Sequence, residues 1–190
     1  YIGIAGANVT EGAEMLPGVT HPYKCGKSNG WVGFSHCTIF NDGKGNWYYA
    51  SQARLPKSVD NAIMLGHVRS IRWTKDGWPL VMPERYGAVP QVAITEEELI
   101  GTWEHIDLSY SYGVQKESAT MTLAADHTIT EGTWKGGTWS YDAEQQILTA
   151  NGIDLYLQRE VDWEASPRTP TIVYAAYGSN HKTYWGKKVI

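Results

Sequence analysis

Cysteine is scarce in this chain of 190 residues, which contains two cysteines, Cys25 and Cys37. They form neither a CxxC pair nor a dense framework, and this excludes a disulfide-stapled scaffold. Whether a hairpin brings the two thiols together stays open, because disulfide geometry cannot be read from the sequence alone. Cysteine usage therefore does not indicate the redox compartment.

Positive charge and long apolar segments are also lacking. The formal net charge is -4, so the chain has no basic footprint of the kind that binds nucleic acid. No apolar run is long enough to span a bilayer, and no charged-then-apolar leader opens the sequence. We therefore expect no nucleic-acid partner and no membrane segment. The chain begins at Tyr1, inside an apolar run, and we interpret this as an internal cut.

Motifs of common catalytic machinery are absent as well. There is no phosphate-binding loop and no nucleophile elbow. Carboxylates are plentiful, but none forms a convincing acid/base pair. Residues 96–98 share one predicted helical turn, and Glu11 and Glu14 lie in a glycine-rich loop. The residues alone therefore indicate no catalytic pair.

Aromatic residues are abundant, with 9 Trp and 12 Tyr against 2 Phe. Trp and Tyr join a flat apolar face to a polar group, which suits both sugar stacking and the half-exposed faces of β-sheets. The structural use is the commoner one, since most large aromatic side chains are buried. Composition therefore gives only a hint of carbohydrate binding.

Residues 30–83 organise the chain. They contain four short runs rich in Val, Ile, Trp, Tyr and Phe, separated by turn signals, and this pattern predicts a four-stranded antiparallel meander. Residues 41–45 and 75–77 predict tight hairpins, whereas residues 56–66 predict a longer surface loop. A lone sheet of this size cannot bury both faces, so we expect neighbouring sheets, as in a β-propeller. Residues 1–22 predict the tail of a preceding sheet and an irregular crossing loop.

The sequence changes character at residues 84–91, where glycine and proline break any regular structure. Residues 95–99 predict a single helical turn with a threonine cap. From Gly101 onward, short β-type runs separated by turn signals indicate a closed barrel or a sandwich, and their number, about eight, favours a small barrel. We therefore predict an all-β fold of two domains, a propeller-type sheet in residues 1–90 and a C-terminal β-barrel in residues 91–190.

Three side chains of the predicted sheet are candidate site residues. His36 lies beside small residues, where a lone imidazole can bind a metal or fill a structural role. A zinc site shared with Cys37 is disfavoured, and Ser35 and His36 are no catalytic pair, because neighbours on a regular strand point to opposite faces. Gln52 and Arg54 are two apart and face the same side. Arg54 can hydrogen-bond sugar hydroxyls or a carboxylate, or join an ion pair at the rim.

The amino-acid sequence of the predicted sheet resembles that of a known family. The stretches THPYKCGKSNGWVGFSHCTIFNDGKGNWYYASQARLP and MLGHVRSIRWTKDGWPLVMPERYG closely resemble the last blade of endo-α-1,5-L-arabinanases of glycoside hydrolase family 43. NVTEGAEMLPGVTHPYK resembles the lead-in to that blade, and TYWGKKVI resembles the end of the extra domain in the two-domain bacterial subgroup. The resemblance covers nearly the whole chain, although Cys25 departs from the aromatic residue usual at its position. It implies the last blade of a five-bladed β-propeller followed by a small C-terminal β-barrel.

The resemblance also implies a function. The family hydrolyses the α-1,5-linked arabinofuranose backbone of arabinan with inversion, so arabinan or arabino-oligosaccharides are the expected partners. The family's catalytic carboxylates come from the first three blades. They would belong to an upstream propeller segment of the same polypeptide, and we assign no catalytic residue in this chain.

The same resemblance implies one metal ligand and a location. His36, in the SHC motif, matches the histidine that coordinates a largely hydrated calcium ion in the central channel. Calcium prefers oxygen ligands, so water must hold most of the ion. Because arabinan is a plant-wall polymer, an extracellular or cell-surface location is expected for the parent enzyme.

Two other functions stay open for the barrel. It is a carbohydrate-binding module in one hypothesis, with platforms at Trp103, Trp134, Trp139 and Trp185. In the other it is a purely structural module attached to a propeller.

Overall fold

A computed structural model describes residues 18–60, 62–111 and 113–190. Most of the predicted tail and crossing loop, including Glu11 and Glu14, lies outside these residues. The described strands are β1 (Tyr23–Lys24), β2 (Val32–Asn41), β3 (Trp47–Arg54), β4 (Leu65–Trp73), β5 (Pro79–Val81), β6 (Gly101–Asp107), β7 (Lys116–Glu117), β8 (Ala119–Leu123), β9 (Ile129–Glu131), β10 (Trp139–Asp142), β11 (Ile147–Ala150), β12 (Ile153–Asp162), β13 (Thr169–Tyr177) and β14 (Thr183–Lys188). The all-β prediction is confirmed.

Helical structure in the described ranges is limited to a 3-10 turn at Glu97–Leu99. This turn lies within the segment for which a single helical turn was predicted. Across the same ranges, no helix has the length and apolarity needed to traverse a bilayer.

Strands β2, β3, β4 and β5 form a four-stranded antiparallel sheet in that order. The hairpin between β2 and β3 contains Gly43 and Gly45 with φ of 73° and 95°, and the hairpin between β4 and β5 contains Gly77 with φ of 80°. Glycine adopts such values without steric cost, which is why these turns require it. The predicted meander and both of its tight turns are confirmed, and a longer connection joins β3 to β4.

The central strand β3 alternates between buried and partly exposed residues. Tyr49, Ser51 and Ala53 are buried, whereas Tyr48 and Gln52 are partly exposed. Because successive side chains point to opposite faces of a sheet, one face packs against the rest of the molecule and the other is open. An open face agrees with the expectation of neighbouring sheets, but the assignment of this sheet as a propeller blade stays a prediction.

Strand β2 departs from regular pairing around His36. Its register against β3 shifts on both sides of Ser35, and His36 has a φ of 48°. Non-glycine residues rarely adopt this left-handed conformation. An irregularity of this kind re-aims side chains, so His36 does not follow the alternation of a regular strand.

The second half of the chain folds into one antiparallel sheet of eight strands, in the order β10-β11-β12-β13-β14-β6-β8-β9. Its two edge strands approach each other. Thr128 and Thr138 form an isolated bridge, and the backbone N–H of Ile129 donates to the Gly137 carbonyl at 2.9 Å. The sheet is therefore a nearly closed barrel, as the sequence predicted.

Side chains fill the barrel interior. Its core includes Leu99, Trp103, Met121, Leu123, Trp134, Trp139, Leu148, Leu155, Leu157, Tyr174 and Tyr184. This agrees with the width of an eight-stranded barrel, which leaves room for little else. The proposed sugar platforms Trp103, Trp134, Trp139 and Trp185 are wrong, because they are only 0%, 8%, 3% and 1% exposed. A buried ring cannot stack on a sugar.

One contact shows how the barrel accommodates its large rings. The Tyr174 ring crosses Gly186 on the neighbouring strand so closely that a Cβ atom at position 186 would collide with it. The Tyr174 hydroxyl lies 2.6 Å from Nδ1 of His105, which pairs with Gly186 between β14 and β6. Burial lowers the pKa of His105 to about 4, so this imidazole is neutral at pH 7. The glycine thus provides the space that the ring occupies.

The sheet and the barrel share a second apolar core. Trp185 and Tyr156 from the barrel belong to one buried cluster with Leu80 and Val81 from β5. The Trp185 indole N–H donates to the Val81 carbonyl at 2.7 Å, and β1 pairs in parallel with β7 from the second half of the chain. The junction is therefore packed throughout. The domain boundary between residues 90 and 91 stays a prediction.

Candidate functional site

His36 lies exposed on the irregular part of β2, and hydrogen bonds connect it to β3. Its Nδ1 is 3.2 Å from Oγ of Ser35, and Nε2 of Gln52 donates to the same Oγ at 2.6 Å. Ser35 and His36 were expected to diverge as strand neighbours. They do not, because the backbone leaves the extended conformation at His36. The three side chains form a polar chain that runs from Gln52 through Ser35 to His36.

Arg54 lies beside this polar chain. It pairs with Val32, one step along the ladder from the pair formed by Gln52 and Ser35. Its stem packs against Gly33, since a Cβ atom there would lie 3.2 Å from Cγ of Arg54. Gln52 and Arg54 are both partly exposed, as a shared face predicts. Substrate binding by these two residues stays a prediction.

The donors around His36 fit a cation that is held mainly by water. Ser35 engages Nδ1, which leaves Nε2 as the nitrogen that can bind an ion. The carboxylates that cluster closely enough to hold a metal, among the residues described, are Glu84, Asp162 and Glu164, and His36 is not among them. The imidazole would therefore be a single protein anchor, with water supplying the oxygen ligands that calcium prefers. Calcium stays a prediction.

The densest group of charges lies at the junction of sheet and barrel. Lys187 is buried, and its Nζ lies 3.0 Å from Glu84, 2.9 Å from Asp162 and 3.6 Å from Glu164. One oxygen from each of these carboxylates lies within 4.8 Å of the others. The lysine ammonium already provides the cation that such a group attracts. These acids, of which Glu84 is buried and the other two are partly exposed, therefore surround a lysine and do not form an acid/base pair open to a substrate.

Burial dominates the titration of this cluster. It raises the pKa of Glu84 to about 7, with attraction to Lys187 opposing the shift and repulsion from Glu164 adding to it. Burial alone would lower the pKa of Lys187, but attraction to Glu84, Glu164 and other nearby groups together with the hydrogen bond to Asp162 outweighs it and raises that pKa above the ordinary value. The lysine is therefore charged at neutral pH.

Sequence reasoning missed this cluster. Glu84 falls in the segment interpreted as a domain boundary, and its partners lie on β14 and at the end of β12. No local pattern connects residues so distant in sequence. The one available signal was Lys187 itself, a charged residue in a run that otherwise predicts a strand.

The sequence leaves two roles open for Arg69 and Arg72, a polar contact to a ligand or an ion pair at the rim, and neither residue forms an ion pair within the described part of the chain. Arg69 is fully buried, its guanidinium lies 5.5 Å from the ring centroid of Trp185, and it donates to the Pro83 carbonyl. Arg72 donates to the Leu157 carbonyl of β12 at 2.7 Å. Both cations therefore connect the sheet to neighbouring segments.

Comparison with known proteins relates the barrel half to a family. The family model GH43_C, described as a C-terminal lipocalin-like domain, matches residues 83–186. Among curated proteins, the chain is similar to extracellular endo-alpha-(1->5)-L-arabinanase 2 of Bacillus subtilis. The two are 23% identical over 183 residues, which cover 93% of this chain and 38% of the relative.

Two solved structures share the fold. The glycoside hydrolase family 43 protein YxiA from Bacillus licheniformis superposes with a TM-score of 0.75 at 23% identity, over 88% of this chain and 38% of that chain. Endo-1,5-alpha-L-arabinanase from Thermotoga petrophila superposes with a TM-score of 0.75 at 19% identity, over 88% of this chain and 39% of that chain. The chain thus spans less than two-fifths of the length of the relatives it matches.

These findings confirm the resemblance to glycoside hydrolase family 43 that the sequence motifs indicated. Its basis is the family match, which covers more than half of the chain and includes the whole eight-stranded barrel apart from its last residues. The chain therefore belongs to the GH43_C family, the C-terminal lipocalin-like domains of glycoside hydrolase family 43.

Proposed function

We propose that this chain is the C-terminal part of a glycoside hydrolase that cleaves α-1,5-linked arabinofuranose in arabinan with inversion. The observation that carries the proposal is the similarity to an endo-arabinanase along 93% of the chain, which includes the four-stranded sheet as well as the barrel. In this proposal the sheet is the last blade of a five-bladed propeller. The other blades belong to an upstream segment of the same polypeptide.

The chemistry requires two carboxyl groups on opposite sides of the scissile bond. One protonates the leaving oxygen as the bond to the anomeric carbon breaks, and the other takes a proton from the water that attacks that carbon. Among the described residues, the clustered acids Glu84, Asp162 and Glu164 are paired with buried Lys187. We therefore propose that the catalytic carboxylates come from the upstream blades and none from this chain.

The role proposed for His36 is to anchor a hydrated calcium ion near those carboxylates. A divalent charge there would lower the pKa of a neighbouring carboxyl group. Ser35 and Gln52 would act as positioning residues, because they hold Nδ1 and leave Nε2 for the ion. Gln52 and Arg54 are also the proposed contacts to substrate at this end of the sheet.

A structural role for the barrel is compatible with this proposal and is favoured by its filled interior. The barrel packs against β5, the strand at one edge of the sheet. It would thereby hold the last blade in place. The name of the Bacillus subtilis relative supports an extracellular or cell-surface location for the complete polypeptide.

The test compares this chain with a longer polypeptide that includes the upstream segment. We expect the longer polypeptide to release reducing ends from linear arabinan with inverted anomeric configuration, and this chain alone to release none. In the longer polypeptide, His36→Ala should lower kcat by roughly 10- to 100-fold, the range typical for loss of a group that supports a metal site. Chelation of calcium should have little further effect on that variant.

The matched control is His181→Ala. His181 is also exposed with a positive φ, of 60°, and one of its ring nitrogens also meets a hydroxyl, that of Tyr177 at 3.0 Å. It lies in the barrel, far along the chain from the polar chain of β2, so the variant should retain full activity. Arabinan cleavage by this chain alone would contradict the proposed location of the catalytic groups.

A further inference from the structure

A groove of about 560 Å³ separates one end of the four-stranded sheet from the barrel. We call it the junction groove and define it by Trp47, Trp73, Tyr86, Glu144, Gln146 and Gln158. It lies at the end of β3 that begins with Trp47. The pair formed by Gln52 and Ser35 lies near the other end of that strand. The junction groove is therefore distinct from the polar chain that holds His36.

Aromatic rings form the sheet side of the junction groove. Trp47 and Trp73 are 36% and 38% exposed, and their ring centroids lie 5.4 Å apart in an edge-to-face arrangement. Tyr86, after β5, is 41% exposed and meets Tyr48 edge to face with centroids 5.0 Å apart. Exposed rings around a cavity present flat apolar faces on which a sugar can stack.

Polar side chains form the barrel side. Glu144 and Gln146 lie in the hairpin between β10 and β11, and Gln158 lies on β12. Within the described ranges, the hydrogen bonds of the protein leave the side-chain amides of Gln146 and Gln158 unoccupied. An amide can both donate to and accept from a hydroxyl group. The two sides together offer the contacts that a polyhydroxylated ring requires.

The charge of the junction groove excludes a strongly ionic ligand. Its described lining contains one acid, Glu144, and one base, Arg72. Arg72 already donates to the backbone carbonyls of Leu157 at 2.7 Å, Gln146 at 3.1 Å and Gln145 at 2.9 Å. Three of the five N–H groups of the guanidinium are thereby engaged with the barrel, which leaves few donors for a phosphate or carboxylate. An uncharged ligand fits this balance.

The volume of the junction groove falls within the range of about 300–1,000 Å³ that is usual for small-molecule sites. We infer that it is a secondary binding site for an uncharged oligosaccharide. The choice of an arabino-oligosaccharide as its ligand rests on the proposed function. Such a site would hold a polymeric substrate on the protein at a distance from the bond being cleaved.

The test is an NMR titration of the full chain with linear α-1,5-arabinopentaose, and in parallel with xylopentaose and cellopentaose. We expect saturable shifts of the Trp47 and Trp73 indole N–H signals. Trp73→Ala should weaken binding by roughly 5- to 10-fold, which corresponds to the loss of one stacking contact. Gln158→Ala removes a polar contact without touching the aromatic side and should also weaken binding.

Trp78→Ala is the matched control. Trp78 lies across the same hairpin from Trp73, but it stacks on Tyr177 with centroids 4.8 Å apart and does not line the junction groove. This variant should bind as the unmodified chain does. Equal loss of binding in Trp73→Ala and Trp78→Ala would overturn the inference, because the groove would then not be the site.

The parallel sugars distinguish the two proposals. If arabinopentaose binds and Trp73→Ala weakens that binding, both the junction groove and the proposed function are supported. Binding of only xylopentaose or cellopentaose, weakened in the same way, supports the junction groove and contradicts arabinan as the substrate class. Absence of saturable shifts with all three sugars up to about 10 mM overturns the junction groove. If Trp73→Ala and Gln158→Ala both leave binding unchanged, the junction groove is also overturned. The proposed function is unaffected by either result, because the hydrolysis experiment tests it separately.

Discussion

Lys187 is the residue whose environment most constrains the junction. Transfer of a single charge into a protein interior is costly, so a buried lysine requires partners with good geometry. Glu84 and Asp162 provide them at 3.0 and 2.9 Å. Glu84 is only 2% exposed, so its ionised form depends on this lysine. The cluster therefore makes folding of the junction sensitive to pH.

The pKa of Glu84 leads to the first prediction about stability. Because burial raises that pKa to about 7, the folded chain retains this proton at pH values where the unfolded chain has lost it. The contribution of Glu84 is fully present below its unfolded pKa, near 4.5, and is lost as the pH rises through 7. We expect the free energy of unfolding, relative to Glu84→Gln, to fall by about 3 kcal/mol between pH 4.5 and 8. Urea denaturation at several pH values measures this difference.

The comparison with Glu84→Gln isolates one group. Buried histidines also titrate, since burial lowers the pKa of His67 to about 3 and of His105 to about 4. Both histidines are present in the unmodified chain and in Glu84→Gln, so their contributions cancel in the difference in the free energy of unfolding. A pH-independent difference for Glu84→Gln would contradict the prediction.

At the scale of single residues, the sequence predicted which residues form the polar chain better than it predicted where their side chains point. The SHC motif singled out His36, and the spacing of Gln52 and Arg54 predicted their shared face. The contact between Ser35 and His36 was not predictable from alternation. It depends on a left-handed backbone at His36, a conformation that remains uncommon for residues other than glycine, although histidine adopts it more often than most.

Among the elements, β13 and β14 show how a barrel strand depends on a single glycine. The Tyr174 ring occupies the space above Gly186, so we expect Gly186→Ala to displace the ring and break its hydrogen bond with His105. Overpacking of this kind costs roughly 1–3 kcal/mol. Urea denaturation of Gly186→Ala measures this loss in the free energy of unfolding.

A second strand glycine provides the control. A Cβ atom at Gly66 on β4 would meet no atom within 4 Å, so Gly66→Ala should leave stability unchanged or slightly raised. Combining Gly186→Ala with Tyr174→Leu should cost less than the sum of the two changes, because the smaller side chain leaves room for the methyl group. Strict additivity would show that the ring and the glycine do not interact.

Strands and turns were largely predictable because their signals are local. Alternation of apolar residues and the Gly and Asp turns predicted four strands in the first half and a barrel in the second, and both are present. The register shift in β2 and the parallel pair of β1 with β7 were not predictable. The first depends on strain at one residue, and the second joins segments about 90 positions apart.

On the scale of the whole molecule, the sequence predicted two units but not how tightly they are joined. The segment after β5, interpreted as a boundary, is held between them. The Arg85 guanidinium lies 5.0 Å from the ring centroids of both Trp31 and Trp163, and the Trp163 indole donates to the Arg85 carbonyl at 2.8 Å. Contacts of this kind depend on tertiary packing, and composition showed only the glycine and proline of the segment.

These contacts lead to the last prediction, that the sheet and the barrel unfold together. Their shared core includes Trp185 and Tyr156 from the barrel and Val81 from the sheet, so loss of either unit would expose apolar surface of the other. We expect far-ultraviolet circular dichroism and tryptophan fluorescence to report one coincident transition in urea.

A substitution at the junction tests this coupling directly. Trp185→Phe removes the indole N–H that donates to the Val81 carbonyl at 2.7 Å and leaves that carbonyl buried. It should lower the midpoint of both signals equally, by an amount that corresponds to about 1–3 kcal/mol. The control is Trp47, which begins β3, is exposed and does not belong to the shared core. Trp47→Phe should shift neither signal. If Trp185→Phe separates the two transitions or moves only one of them, the barrel is an independent module. Its proposed role in holding the sheet would then fail.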